Sequence, residues 1–203
     1  MKTLIIIDMQ NDFIPGGALE VPGGDKIIPV INSLQEKFEL VIATQDWHPE
    51  NHMSFASGHP DKKPFDTIEW RGMEQVLWPD HCVQNSPGAE FHPELDVLKI
   101  EAIFRKGMDK NIDSYSGFYD NGHEKNTGLA GYLRERNANE LFFCGLAADV
   151  CVNFSIMDAL REGFSATLIE DATSPIDADA FEKIKKELVE KGCRITKSMN
   201  ISG

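Results

Sequence analysis

Short apolar segments alternate with amphipathic segments along most of this 203-residue chain. The first apolar segment, LIII at 4–7, is typical of a strand that is buried on both faces of a parallel sheet. We predict strands at 2–8, 40–44, 100–106, 140–144, 166–169 and 194–197, and helices at 27–38, 126–136, 149–162 and 178–191. Because strands that alternate with helices are joined by right-handed crossovers, the pattern predicts an α/β fold. We expect three layers: a doubly wound, six-stranded, mainly parallel sheet with helices on both faces.

The length and charge of the chain restrict its class and its partners. The length fits one domain spanning 1–203. The formal net charge of -13 argues against nucleic acid and anionic membranes as partners, since both attract basic surfaces. The first apolar run ends at Asp8 and is too short for a signal peptide or a membrane span, so we expect a cytoplasmic protein. The four cysteines are scattered and do not suggest a disulfide framework.

The apolar segment at 140–144 breaks at small residues and continues as a helix that carries Cys151 near its start. A helix N-terminus lowers the pKa of a cysteine thiol, and the thiolate is the nucleophilic form. Gly145, Ala147 and Ala148 permit a sharp turn and the close approach of a substrate carbonyl to backbone N–H groups. Cys151 is therefore a candidate nucleophile. The competing interpretation is a small buried residue in the first turn of a packed helix.

Three more reactive side chains follow predicted strands. Asp8, Asp46 and Lys106 lie at carboxyl ends of strands, where open parallel sheets bind ligands. Charge at a buried strand end is unfavourable, so an acid and a lysine beside a thiol should be paired or catalytic. Asp8, Lys106 and Cys151 together suit acyl transfer from a carboxamide. Taken singly, Asp8 is equally explained as a turn cap and Lys106 as an exposed loop lysine.

The region at about 45–99 contains no long periodic segment but holds five of the six histidines. A loop of this length inside a domain is usually functional. Its Asp46, His48 and His81 offer one carboxylate and two imidazoles, which suit zinc, iron or manganese and leave coordination positions open. His52, His59 and Cys82 are further possible ligands at this stage, and ordinary surface histidines are the competing interpretation.

With these residues in place, the sequence resembles nicotinamidases, which also act as pyrazinamidases, of the isochorismatase-like cysteine hydrolase superfamily. Six motifs carry the resemblance in order along most of the chain: DMQNDF at 8–13, TQDWHP at 44–49, WPDHCV at 78–83, FRKG at 104–107, DSYS at 113–116 and GLAADVCV at 145–152. The sequence departs from the family at Ala148, where relatives usually carry threonine.

The resemblance implies roles for ten residues. It implies a catalytic triad of Asp8, Lys106 and Cys151, and a divalent metal, with zinc favoured over iron or manganese, on Asp46, His48 and His81. It implies oxyanion donors at the N–H groups of Ala147 and Cys151, next to a cis bond between Leu146 and Ala147. It also implies a substrate pocket walled by Phe13, Trp78 and Tyr115, although Phe13 and Trp78 are also explained as plain core aromatics.

The activity that the resemblance implies is the metal-dependent deamidation of nicotinamide to nicotinate and ammonia through a cysteine thioester, with pyrazinamide as a second substrate. It also suggests self-association. Three alternatives stay open: a related cysteine amidase that acts on a carbamoyl or ureido substrate, a hydrolase that uses metal-bound water, and a non-catalytic metal- or ligand-binding module.

Overall fold

The computed structural model describes residues 1–202 of the chain. Within these residues the strands are β1 (Lys2–Ile7), β2 (Leu40–Asp46), β3 (Thr67–Trp70), β4 (Met73–Val76), β5 (Ile100–Lys106), β6 (Glu140–Gly145), β7 (Ser165–Thr173) and β8 (Arg194–Thr196). The α-helices are α1 (Ile28–Gln35), α2 (Leu129–Glu135), α3 (Asn153–Arg161) and α4 (Ala178–Glu190). Strands β5, β2, β1, β6, β7 and β8 form, in this order, one sheet in which all neighbours are parallel. The predicted doubly wound fold is confirmed.

Strand β1 shows why the first apolar run has no polar side chain. Successive residues of a strand point to opposite faces, and both faces of this sheet are covered. Leu4 and Ile6 pack in one hydrophobic cluster together with helix α1, whereas Ile5 and Ile7 pack in a second cluster with helices α2, α3 and α4. All four side chains are fully buried. Burial of a side chain of this size contributes roughly 1.5–3 kcal/mol, so the run both forms the strand and anchors two layers.

The order of the strands reverses at β1, because β2 lies on one side of it and β6 on the other. Such a switch point opens a crevice outside the carboxyl ends of the strands. Asp8 follows β1 at this crevice, and Asp46 and Lys106 are direct register partners at the ends of β2 and β5. The turn that leads to Cys151 leaves the end of β6. The topology therefore brings together the polar residues that follow four separate strands.

The antiparallel hairpin of β3 and β4 was not predicted. Its strands, TIEW and MEQV, are four residues each and contain no apolar run. The turn between them has positive φ at both central residues, 52° at Arg71 and 77° at Gly72, which is the geometry of a tight two-residue hairpin turn. The sequence signal that could have predicted this hairpin is the pair Arg71-Gly72, which lies between two short segments.

Helix α2 begins three residues later than the predicted start at 126. Gly128 has φ of 92°, outside the helical region, so the helix begins at Leu129. Across residues 1–202, none of the helices combines the length and the apolar character that spanning a bilayer requires.

Candidate active site

The turn after β6 presents Cys151 to the crevice. Gly145 ends the strand with φ of 105°, and a Cβ atom there would lie 2.1 Å from the carbonyl oxygen of Ile7, so only glycine fits. One residue further on, the peptide bond between Leu146 and Ala147 is cis, as the resemblance implies. A π-helical turn follows at Ala148–Val152, where a continuous α-helix from 149 was predicted. The Ala147 carbonyl accepts the N–H groups of both Val150 and Val152, which widens the turn that carries the thiol.

The ammonium group of Lys106 contacts two carboxylates and the thiol. Its ammonium nitrogen lies 3.0 Å from Asp8 Oδ2, 3.0 Å from Asp46 Oδ1 and 3.5 Å from Cys151 Sγ. It also donates a hydrogen bond of 3.0 Å to the carbonyl of Ser114. Its side chain is 1% exposed, so a charged amine is stable here only because two carboxylates surround it. The structure thus brings Asp8, Lys106 and Cys151 together, as the sequence predicted.

Burial and charge act in opposite directions on these groups. Burial disfavours the charged form of Lys106, but Asp46 and Asp8 raise its pKa well above the usual value, so it stays an ammonium. Burial also raises the pKa of Cys151 well above the usual value, and Lys106 offsets this only in part. The helix N-terminus was expected to favour the thiolate. Burial instead favours the thiol form of Cys151, so a neighbouring base would assist its reaction.

Asp8 is placed to be that base. Burial raises the pKa of its carboxyl group, against the opposing effect of Lys106. Asp8 has a positive φ of 47°, a conformation that costs free energy for a residue with a side chain. Its backbone N–H donates to Thr44 Oγ1 at 3.3 Å, and the Thr44 hydroxyl donates to Asp8 Oδ1 at 2.6 Å. Thr44 therefore fixes one carboxylate oxygen and leaves Oδ2 toward Lys106; the sequence analysis missed this role.

Asp46, His48 and His81 also meet, and their donor atoms fit a divalent cation. Asp46 Oδ2 lies 3.0 Å from His48 Nε2 and 3.4 Å from His81 Nε2. The Nδ1 atom of His48 donates to the carbonyl of Gly107 at 3.0 Å, and that of His81 to the carbonyl of Pro79 at 2.8 Å. A carbonyl can only accept, so each Nδ1 carries a proton, and in the neutral form of each ring Nε2 presents a lone pair to the carboxylate. Three such acceptor atoms at these distances repel one another, and a divalent cation among them would supply the positive charge that offsets the repulsion.

The other possible ligands are engaged elsewhere or unsuited. His52 forms a second cluster with His48 and Asp113, but its Nδ1 lies 2.7 Å from Ser54 Oγ and its Nε2 3.3 Å from the Ile112 carbonyl. Burial lowers the pKa of His52 to about 4, so it is neutral at physiological pH. Cys82 belongs to neither of the two clusters of converging donor atoms found in the described residues.

Gln10, in the first of the six motifs, holds Asp46 by its backbone. Its amide Nε2 donates to the carbonyls of Asp46 and Ala89, each at 2.8 Å, while its Oε1 accepts the N–H of Asp46 at 2.8 Å. The Gln10 side chain thus adds two hydrogen bonds to the backbone of Asp46, the candidate metal ligand at the end of β2. The motif contained this residue, but an uncharged amide gave no reason to assign it a role.

Gly107 sets the position of His48, and its replacement provides a test of the metal cluster. A Cβ atom at Gly107, which has φ of 68°, would lie 2.4 Å from His48 Cε1. We expect Gly107→Ala to weaken zinc binding by about 10–100-fold, because it displaces both His48 and the carbonyl that orients the ring. Zinc affinity measured by competition with a chelating dye gives the readout. Gly131→Ala is the control, since a Cβ there meets nothing within 4 Å; equal affinity in the two variants would contradict the assignment.

A cavity joins the thiol to the metal cluster. The three predicted aromatic residues, Phe13, Trp78 and Tyr115, line it. It is also lined by Ala147, Cys151, Asp46 and His81, and by four residues that the sequence analysis did not assign to a pocket: Leu19, Asp113, Val150 and Ile176. Within residues 1–202 the N–H of Ala147 has no hydrogen-bond acceptor, so this donor is available to a ligand. The mostly apolar walls suit a small ring that carries one polar group.

Comparison with known proteins agrees with this geometry. The sequence model of the isochorismatase domain matches residues 2–199. This chain belongs to the isochorismatase family. A nicotinamidase of Acinetobacter baylyi is 46% identical to this isochorismatase-family chain over 199 residues, which cover 98% of the chain and 93% of the relative. The resemblance that the six motifs indicated is thereby confirmed.

Solved structures of isochorismatase-family proteins have the same fold. The Acinetobacter baumanii nicotinamidase/pyrazinamidase superimposes with a TM-score of 0.96 at 45% identity, covering 98% of this chain and 97% of that chain. A pyrazinamidase of Pyrococcus horikoshii in complex with zinc gives a TM-score of 0.81 at 38% identity, covering 97% and 98%. The roles of individual site residues, a cytoplasmic location and self-association stay predictions.

Proposed function

We propose that this isochorismatase-family protein is a nicotinamidase, an amidohydrolase that converts nicotinamide to nicotinate and ammonia and also hydrolyses pyrazinamide. The observation that carries the proposal is a cavity lined by a thiol, by aromatic side chains and by two residues of the metal-ligand cluster, with a buried lysine and carboxylate pair beside the thiol. A carboxamide on a flat aromatic ring matches these walls and this chemistry. The names of the similar proteins, nicotinamidase and pyrazinamidase, support the same substrates.

The reaction begins with proton transfer from Cys151 to Asp8. The sulfur attacks the carboxamide carbon and forms a tetrahedral adduct, whose oxygen accepts the N–H groups of Ala147 and Cys151. Backbone donors of this kind each lower the barrier by about 3 kcal/mol. Asp8 returns the proton to the leaving nitrogen, the C–N bond breaks, and ammonia departs from a thioester. Water, activated by Asp8, then attacks the thioester; nicotinate is released and the thiol regains its proton.

Asp46, His48 and His81 would hold the divalent metal, and zinc is the metal we propose. One carboxylate oxygen and two imidazole nitrogens suit zinc, and the zinc complex of the Pyrococcus horikoshii pyrazinamidase supports the choice. When bound, the metal supplies positive charge that orients a basic ring and withdraws electrons from it. Phe13 and Trp78 then exclude water from the ring faces, with Tyr115 completing the wall.

Lys106 is proposed to make the thiol more reactive, and its alkylation rate tests the role. The ammonium lies 3.5 Å from Sγ and lowers the pKa of Cys151 against the effect of burial. We therefore expect Lys106→Ala to slow alkylation of Cys151 by iodoacetamide at pH 7, by about tenfold or more. Lys125→Ala, which removes an exposed ammonium paired with Asp109, is the control. An alkylation rate unchanged by Lys106→Ala would refute the role.

Ammonia release from nicotinamide is the first test of the function. The purified protein is assayed as isolated, after chelation, and after zinc, iron or manganese is restored. We expect fast release that chelation removes and a divalent metal restores. If no metal yields ammonia from nicotinamide but carbamoyl or ureido substrates release it, and Cys151→Ala abolishes that release, the enzyme is a cysteine amidase for those substrates. If none of these substrates releases ammonia with any metal, the protein is a binding module.

A further inference from the structure

The hairpin of β3 and β4 lies outside the main sheet, and the side chain that it buries is polar. In its two four-residue strands, all within the described residues, Gln75 is the one buried residue, at 5% exposure. A hairpin is only marginally stable unless one face packs against the protein, and that face is normally apolar. An amide in the inward position is unfavourable unless its polar atoms are hydrogen-bonded. The hydrogen-bond partners of Gln75 therefore show which residues the hairpin positions.

The amide of Gln75 reaches two residues that line the cavity. Its Nε2 lies 3.0 Å from the Tyr115 hydroxyl and 3.1 Å from Asp113 Oδ2, in addition to 2.7 Å from the carbonyl of Val76. The Tyr115 hydroxyl also accepts the indole N–H of Trp78 at 3.3 Å. A phenol oxygen that receives two N–H donors directs its own O–H away from both. Gln75 and Trp78 therefore fix the orientation of Tyr115.

The hydrogen bond from Gln75 to Tyr115 affects the wall of the cavity. The rings of Trp78 and Tyr115 meet edge to face, with centroids 6.0 Å apart and planes at 84°. Trp78, Tyr115 and Asp113 line the cavity, whereas Gln75 lies behind them and is not part of its lining. Burial raises the pKa of Tyr115, so its hydroxyl stays a neutral phenol that can keep these bonds. Loss of the Gln75 amide would remove a hydrogen-bond donor from the buried Asp113 Oδ2 and would leave the Tyr115 hydroxyl with only the donor from Trp78.

We propose that Gln75 is a positioning residue for substrate binding: its amide holds Tyr115 and Asp113 and so fixes the aromatic wall against which the substrate ring packs. The inference rests on the proposed nicotinamidase function and adds a residue from the hairpin to it. Gln75 does not touch Cys151, Asp8 or Lys106, so its contribution falls on binding of the ring and not on the chemical steps.

The hairpin has other anchors, which provide the controls. The indole N–H of Trp70 donates to the carbonyl of Asn111 at 2.8 Å, and Arg71 pairs with Glu124 at 3.0 Å. Trp70→Phe therefore loosens the hairpin without touching the pocket wall. Glu74→Leu places the same new side chain as Gln75→Leu on the exposed face of the same strand.

The test compares kcat and KM for nicotinamide among these variants. We expect Gln75→Leu to raise KM by about tenfold and to leave kcat within about twofold, since one buried hydrogen-bond donor to the binding wall is lost. Trp70→Phe and Glu74→Leu are expected to leave both constants near those of the unchanged protein. If Gln75→Leu does not fold by circular dichroism, Gln75→Met serves as a second variant, because it keeps the length of the side chain and lacks the donors.

A double-mutant cycle with Tyr115→Phe tests whether Gln75 affects KM through the Tyr115 hydroxyl. Once the Tyr115 hydroxyl is absent, Gln75→Leu should raise KM by much less than it does alone. Three results would overturn the inference: an unchanged KM, a fall in kcat without a change in KM, or an equal rise in KM with Trp70→Phe. Absence of ammonia release by the unchanged protein would instead refute the proposed function, so the two failures are distinguishable.

Discussion

Replacing Cys151 with alanine is expected to lower kcat for nicotinamide by about four orders of magnitude, because the variant cannot form the covalent bond to the substrate carbon. Binding of zinc and of nicotinate should be retained in this variant. The cavity walls and the metal ligands are separate side chains, so zinc content and affinity for nicotinate should change little. Ammonia release, zinc content and nicotinate binding measured on the same preparation separate these effects. Cys193→Ala is the matched control, since that thiol is also buried but lies between α4 and β8 in the sequence and does not line the cavity.

The opposite pattern would change the mechanism. If Cys151→Ala kept activity that His81→Ala abolished, the protein would be a hydrolase that uses metal-bound water, and Cys151 would be a structural residue. The comparison is informative because His81 contacts Asp46 and the Pro79 carbonyl but does not belong to the group around the thiol.

Replacing Asp8 with asparagine is expected to lower kcat by about a thousandfold, since a positioned general base typically contributes 10²–10⁴-fold. Asparagine keeps the shape of the side chain but cannot accept the thiol proton. KM should change less, because Asp8 is fully buried beside Lys106 and does not line the cavity. The kinetic constants are measured for both proteins, with Asp25→Asn on the surface as the control.

The pH profile gives Asp8 a second test. The base must be ionised to act, so kcat/KM should fall as the pH drops through its pKa. Burial raises that pKa, which places the acid limb above the range of an ordinary aspartate near 3.8. The residual activity of Asp8→Asn should lack this limb. A variant that retained both the rate and the limb would show that another group is the base.

The sequence was sufficient to predict which polar side chains meet at the crevice, because each one follows a recognisable strand. Asp8, Asp46 and Lys106 end runs of apolar residues, and the rule that parallel strands bind ligands at their carboxyl ends places them at one crevice. Cys151 was found by a different signal, the run of small residues after an apolar strand. Each of these signals lies within one segment of the sequence. The strand order of the sheet then brings the segments together at one site.

The supporting residues could not be predicted in this way. Thr44, Gln10 and Gln75 are uncharged, and their roles depend on contacts with residues between 36 and 79 positions away along the chain. The burial of the thiol could not be predicted for a related reason. A helix N-terminus is visible in the sequence, but the burial that raises the pKa of Cys151 results from the packing of several distant segments.

The two oxygens of Asp46 have a consequence for genetic dissection of this protein. Oδ1 faces Lys106 and Oδ2 faces the two imidazoles, so one carboxylate belongs to both the thiol group and the metal cluster. Any substitution at 46 is therefore a double lesion, and its loss of activity cannot be apportioned between the two. The imidazole of His81 is the single lesion on the metal side, and the carboxylate of Asp8 is the single lesion on the thiol side.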